Sequence, residues 1–141
     1  MKHGKATFNQ RMVKRQVSGK RAKVMAWDAF SLFIRNRDKW KCYCGREKPG
    51  EIMQACHVIP GRHNAMLFCE EGCFCGHSGC NKLHCHQPQI MREWFRGKYG
   101  QDALDALEQK NKLNVKYNTG ELLTLASYYT QRTAEILKEE T

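Results

Sequence analysis

Hydrophobic spacing divides the chain into a helical beginning, a short extended middle and a helical end. In "AWDAFSLFIRNRD", Trp27, Phe30 and Ile34 recur at helical intervals with Phe33 beside them, which predicts a helix from Ala26 to Asp38. From Lys41 to His57, turn chemistry (Cys44-Gly45, Pro49-Gly50) gives way to an apolar run, Ile52 to Ile59, that Pro60-Gly61 ends. This pattern reads as a knuckle leading into a β-hairpin. Residues 69–87 read as loop, with Gly72, Gly76 and Gly79 spaced between cysteines. Helical spacing returns at Ile90, Met91, Trp94, Phe95 and Tyr99, with Gly100 placed to end the helix. A short helix from Asp102 to Lys110 follows. A last one starts behind Thr119 as N-cap, with Glu121 in its first turn, and runs through Leu122, Leu125, Tyr129 and Ile136 to Lys138. Trp27, Phe30, Ile34, Trp94, Phe95, Leu122, Leu125 and Tyr129 form the expected core.

Charge adds a second division. Of the net +10, residues 1–25 carry eight Lys or Arg and no Asp or Glu, whereas residues 26–141 hold 16 basic and 14 acidic groups. The expectation is a flexible basic arm over 1–25 and a folded domain over 26–141. Such an arm suits a polyanion, because each cation beside a phosphate releases counterions. Lys14, Arg15, Lys20, Arg21 and Lys23 are therefore candidate DNA contacts, with a solvated solubility tail as the alternative. No apolar run approaches the roughly 20 residues of a membrane span, and the basic N-terminus lacks an apolar signal core, so a cytosolic protein is expected.

That compartment decides how the eight cysteines are read. All lie between Cys42 and Cys85, together with His57, His63, His77 and His84. Thiols stay reduced in the cytosol, and clustered Cys and His there bind metal more often than they form disulfides. A zinc knuckle usually reads Cys-x2-Cys-Gly, whereas Cys42-Tyr43-Cys44-Gly45 is one residue short. A tetrahedral site needs a second pair. "CFCGHSGCN" offers Cys73, Cys75, His77 and Cys80, of which His77-x2-Cys80 has the usual spacing and Cys75-x4-Cys80 is the main rival. The surplus thiols suffice for a second ion.

Taken in order, "FIRNRD", "CYCG", "QACHVIPGR" and "CN" resemble the NinG/Rap recombination nucleases of lambdoid phages, a branch of the HNH or His-Me finger endonucleases. The resemblance extends from Ala26 to Glu139 and takes in the tail segments "KYGQDALDALEQKNK" and "YNTGELLTLASYYTQRTAEILKEE". It implies an α+β fold, with a ββα-metal core on a treble-clef-like zinc site and flanking helices. It also implies Cys42 and Cys44 as the first zinc pair and His77 and Cys80 as the second. His57 matches the histidine at the family's strand end, with Gln54 before it and Arg62 after it. Cys56 replaces the usual glycine. Gly72 and Phe74 stand where the family often has Asn-x-His.

The chemistry implied is phosphodiester hydrolysis. A histidine deprotonates water while Mg²⁺ or Mn²⁺ stabilises the charge on phosphorus and the leaving oxygen. The resemblance makes His57 the base, although a histidine in an apolar run is by itself more often a core residue. Asn81 and His84, with His86 beside them, are candidate ligands or positioning groups. Arg62 and His63 are candidate phosphate contacts. The implied partner is branched DNA, such as a Holliday junction or D-loop, in the cytoplasm of a bacterial host. Cutting two opposed strands favours a homodimer. The alternative is a zinc-stabilised DNA-binding module or recombination adaptor that does not cleave.

Overall fold

The computed structural model describes residues 17–61 and 63–141. Helix α1 (Gly19–Arg37) leads to strand β1 (Met53–His57), the one-turn helix α2 (Asn64–Leu67), a 3-10 turn (Glu70–Gly72) and strand β2 (Cys73–His77). Helices α3 (Ser78–His86), α4 (Gln89–Tyr99), α5 (Gln101–Asn111) and α6 (Thr119–Glu139) complete the chain. The fold mixes helices with one two-stranded antiparallel sheet. Among the described residues, no helix is long and apolar enough to cross a membrane.

Helix α1 begins well before Ala26. The Ser18 hydroxyl accepts from the Arg21 N–H at 3.1 Å and caps the first turn. Ala22 and Ala26 are fully buried, so two small side chains extend the stripe of Phe30, Phe33 and Ile34 toward the N-terminus. The expected boundary at residue 25 therefore falls inside α1, and Lys20, Arg21 and Lys23 belong to its first turns. Lys14, Arg15 and Arg62 lie outside the described residues. Helix α6 joins Leu122, Ala126 and Tyr129 to the same core cluster. Tyr129 meets Phe30 edge-on with ring centroids 4.9 Å apart. The cap of α6 is Asn118 rather than Thr119, with its side chain accepting from the Glu121 N–H at 2.8 Å.

The segment expected as loop contains β2 and α3. In Cys73-Phe74-Cys75 the thiols act as small apolar groups on one face of the strand, and both are fully buried. His57 pairs with Cys73, and Cys56 with Phe74. The strands do not form a tight hairpin, since residues 58–72, including α2, connect them. Alternation sends Ala55 and Cys73 into the α1–α6 core, while Cys56 joins Met91, Phe95, Leu104 and Leu107 on the opposite face. Gly76 sits where a Cβ would come 2.7 Å from Cys56 Sγ and 3.1 Å from the Tyr43 ring, so only glycine lets Tyr43 lie there.

The open edge of β2 is closed by an ion pair at the end of α1. Arg37 pairs with Asp38 at 2.8 Å. It also donates to the Cys73 carbonyl at 2.7 Å and the Glu70 carbonyl at 2.8 Å. Asp38 accepts from the Cys75 N–H at 2.9 Å. The chain then reverses through Lys39 and Trp40, both left-handed, with φ of 55° and 59°. Such residues cost on the order of 1–3 kcal/mol each. The Trp40 N–H bonds back to the Arg35 carbonyl at 2.8 Å, and the Arg35 guanidinium lies 5.0 Å from the Trp40 ring centre. Replacing Asp38 with Ala strands Arg37 and the Cys75 N–H. The expected loss is roughly 1.5–3 kcal/mol, measured as a lower urea midpoint.

Candidate metal centre and the adjoining cleft

The left-handed exit of α1 delivers Cys42 to the end of β2. Gly45, at φ 76°, closes a tight turn in which its N–H bonds to the Cys42 carbonyl at 3.0 Å. The turn brings Cys42 and Cys44 together despite the missing residue. Cys42 Sγ accepts from the backbone N–H of His77 at 3.3 Å and of Cys44 at 3.4 Å. Cys44 Sγ accepts from the Arg46 N–H at 3.4 Å. His77 ends β2, and Cys80 follows in the first turn of α3. No side chain of the N-cap residue caps α3; the Glu51 carboxylate instead accepts from the Gly79 N–H.

His77 Nδ1 lies 3.6 Å from Cys44 Sγ and 3.6 Å from Cys80 Sγ. All four ligand atoms of Cys42, Cys44, His77 and Cys80 fall within 4.8 Å of one another. Zinc bonds of about 2.3 Å to sulfur and 2.0–2.1 Å to nitrogen, at the tetrahedral angle, place the two atoms about 3.6 Å apart. The four residues are therefore placed to hold a metal ion, and their chemistry and spacing are compatible with structural zinc. Among the described residues no other group of three or more Cys, His, Asp or Glu has metal-site geometry. Cys73 and Cys75, the alternatives, are outside the cluster: they share the face of His77 but sit earlier along β2, where both are fully buried. Burial pushes the Cys73 thiol well above its ordinary range and Cys75 up to about 11.

Within the cluster, burial pushes the Cys42 thiol up to about 12. Burial opposes ionisation of Cys44 as well, but the Arg46 N–H and hydrogen bonds with Cys42 and Cys80 outweigh it and lower its pKa. Lys48 Nζ donates to Cys80 Sγ at 3.5 Å. A buried set of thiolates needs compensating positive charge, which a divalent cation supplies and Lys48 supplements.

Beside this centre, α1, β1 and α3 enclose a cleft of about 490 Å³. Lys20, Lys23, Trp27, His57, Asn81 and His84 all line it. The His57 ring is half-buried and stacks on Trp27 with centroids 5.3 Å apart. Its Nε2 lies 3.1 Å from the Leu67 carbonyl oxygen. A carbonyl only accepts, so the neutral imidazole carries its proton on Nε2 and its lone pair on Nδ1. Asn81 is the fourth residue of α3 and caps nothing; its amide donates to the Gln54 side chain at 2.9 Å. His84 is only 3 % exposed, donates from Nε2 to the His57 carbonyl at 2.7 Å, and has Nδ1 buried with no hydrogen-bond partner among the described residues. Burial lowers its pKa. Lys23 Nζ donates to Asn64 Oδ1 at 3.2 Å. His63 and His86 are exposed and Arg21 points elsewhere, so none of the three lines the cleft.

No known protein family, curated protein or solved structure matches this chain. Sequence reasoning missed three contributors. Trp27 supports the His57 ring, although helical spacing marks it only as core. Glu51 caps α3, and Lys48 reaches Cys80; isolated charges in a turn-rich stretch give no signal of either role.

Natively purified protein is expected to carry one zinc per chain by elemental analysis. Cys44→Ser and Cys80→Ser should lose it and lower Tm by more than about 10 °C. Several kcal/mol are at stake, and each shifts Tm by about 3–4 °C at this size. The exposed Cys85→Ser should keep both metal and Tm. A second expectation concerns acid. Burial in the fold lowers the His84 pKa below the roughly 6.5 of the unfolded chain. The stability His84 contributes is present above that pH and is lost as pH falls. With zinc kept saturating, His84→Gln should narrow the gap between urea midpoints measured at about pH 7.5 and pH 5.5.

Proposed function

We propose that this protein is a metal-dependent DNA endonuclease, with His57 as the base of a ββα-metal core that structural zinc holds together. The observation carrying this reading is the single cleft that gathers His57 from the end of β1, Asn81 from α3 and Lys20 and Lys23 from α1. The order β1, β2, α3 and the Cys/His cluster at its hinge fit such a core.

In the proposed mechanism Nδ1 of His57 takes a proton from water, and the oxygen attacks phosphorus as the bond to the leaving oxygen breaks. The Leu67 carbonyl holds the useful tautomer and the Trp27 face fixes the ring plane. Lys20 and Lys23 hold the strand through its phosphates. The amide oxygen of Asn81, with phosphate oxygens, would hold Mg²⁺ or Mn²⁺, which supplies charge stabilisation at phosphorus and the leaving oxygen. His84 is a positioning residue in this scheme, because its N–H fixes the backbone of His57. The sequence resemblance favours branched DNA as substrate, cut by two copies of the chain.

A second reading is a zinc-stabilised DNA-binding module without cleavage. It is favoured by the absence of any Asp or Glu among the described residues lining the cleft. Phe74, at the position of a family histidine, packs on Trp94 instead.

Purified protein incubated with branched and linear DNA should nick in Mg²⁺ or Mn²⁺ and not in EDTA. His57→Ala should slow nicking at least about a hundredfold while DNA binding survives. Binding without nicking in every metal would establish the second reading in place of the first.

A further inference from the structure

A larger groove, about 920 Å³, opens on the opposite side of the sheet from His57. Tyr43, Phe74, Trp94 and Tyr99 form much of its wall, and Lys41 and Lys98 stand in it as exposed cations. The rings form a connected set. Trp94 lies 5.2 Å from Tyr43 and 5.0 Å from Phe74, and Phe74 and Tyr99 stack at 5.7 Å with planes 26° apart. Tyr99 remains 48 % exposed. Lys98 Nζ sits 5.4 Å from the Trp94 ring centre and 5.7 Å from that of Tyr99.

Charge in the groove is uneven once its ion pairs are counted. Asp38 is engaged by Arg37 and the Cys75 N–H. Glu70 accepts from the Tyr129 hydroxyl and pairs with Arg132. Glu71 accepts from the Cys69 thiol and pairs with Lys110. No carboxylate among the described residues pairs with Lys41 or Lys98. The groove thus offers flat aromatic faces with two uncompensated cations, on a chain of net charge +10. That combination matches a strand of unpaired bases, because every base has a π-face and every nucleotide a phosphate. An apolar peptide would use the rings and leave both lysines without a counter-charge.

We propose that this groove binds single-stranded DNA, stacking unpaired bases on Tyr99 and Trp94 and placing phosphates against Lys41 and Lys98. The inference rests on DNA being the partner, and it deepens that reading. The His57 cleft would act on a phosphodiester while the far groove holds the unpaired strand that a branched substrate supplies.

The test uses zinc-loaded full-length protein and fluorescence anisotropy with three probes of about 12 nucleotides: oligothymidine, a duplex, and an abasic strand. Oligothymidine should bind more tightly than the abasic strand. Tyr99→Ala should weaken oligothymidine binding roughly five- to hundredfold, leave the duplex within about twofold, and be rescued by Tyr99→Phe. Lys98→Glu, an exposed change that spares the rings, should weaken the same probe and flatten its log–log salt dependence by about 0.7. Equal binding of the abasic strand, or an unchanged affinity in both variants, overturns the proposal and leaves the groove to another partner. Protein that binds and nicks duplex but ignores single strands also overturns it, with the His57 reading intact. Groove-dependent single-strand binding without nicking in any metal does the reverse.

Discussion

A two-stranded sheet is barely stable on its own in water, and this fold builds its Cys/His cluster and both its clefts around one. Everything else in the domain can be understood as support for that ribbon. At one end, Cys42, Cys44, His77 and Cys80 are placed so that one cation joins the segment before β1 to the junction of β2 and α3. Along the open edge, Arg37 and Asp38 satisfy backbone groups of β2 that a third strand would otherwise take. The two faces are covered by separate cores, α1 with α6 on one side and α4 with α5 on the other. Remove the support and a small strand pair remains, with no reason to hold His57 in place.

The same arrangement explains how a modest chain presents two surfaces of different character. The face toward α1 carries a histidine, an asparagine and two lysines around a narrow cleft. The face toward α4 carries linked aromatic rings beside Lys41 and Lys98. Both rest on five residue pairs of sheet, so the geometry of either depends on the register of the other. Register is held by alternation: a slip of one residue would turn His57 into the α4 core and Cys56 toward Trp27.

The helices were legible in the sequence because their apolar residues repeat at the helical period. Tyr99 and Gly100 mark the end of α4 as expected, and α5 lies within one residue of its predicted span at each end. The start of α1 was hidden. Ala22 and Ala26 are small, and Lys20, Arg21 and Lys23 around Ala22 make the segment look like solvated tail until α6 is seen to cover the alanines. The strand β2 was hidden for another reason. Its cysteines are the residue type that signals a metal, so Cys73 and Cys75 drew attention as ligands while serving as core. Of the quartet, only His77-x2-Cys80 has the usual spacing; Cys42 and Cys44, one residue short of the pattern, came from the resemblance, and the choice between His77 and Cys75 needed coordinates. What the sequence could not carry were contacts set by tertiary approach, such as the Trp27 face against His57 and the His84 N–H on its carbonyl.

Lys39 and Trp40 bear on how a cation held by the Cys/His cluster would leave. Two side-chain-bearing residues held left-handed in succession form a loaded spring between the last turn of α1 and the first ligand, Cys42. A cation on Cys42 would clamp that turn between the helix end and the cluster. Its loss would leave the strain at 39–40 unopposed, so the helix end and the knuckle would loosen together.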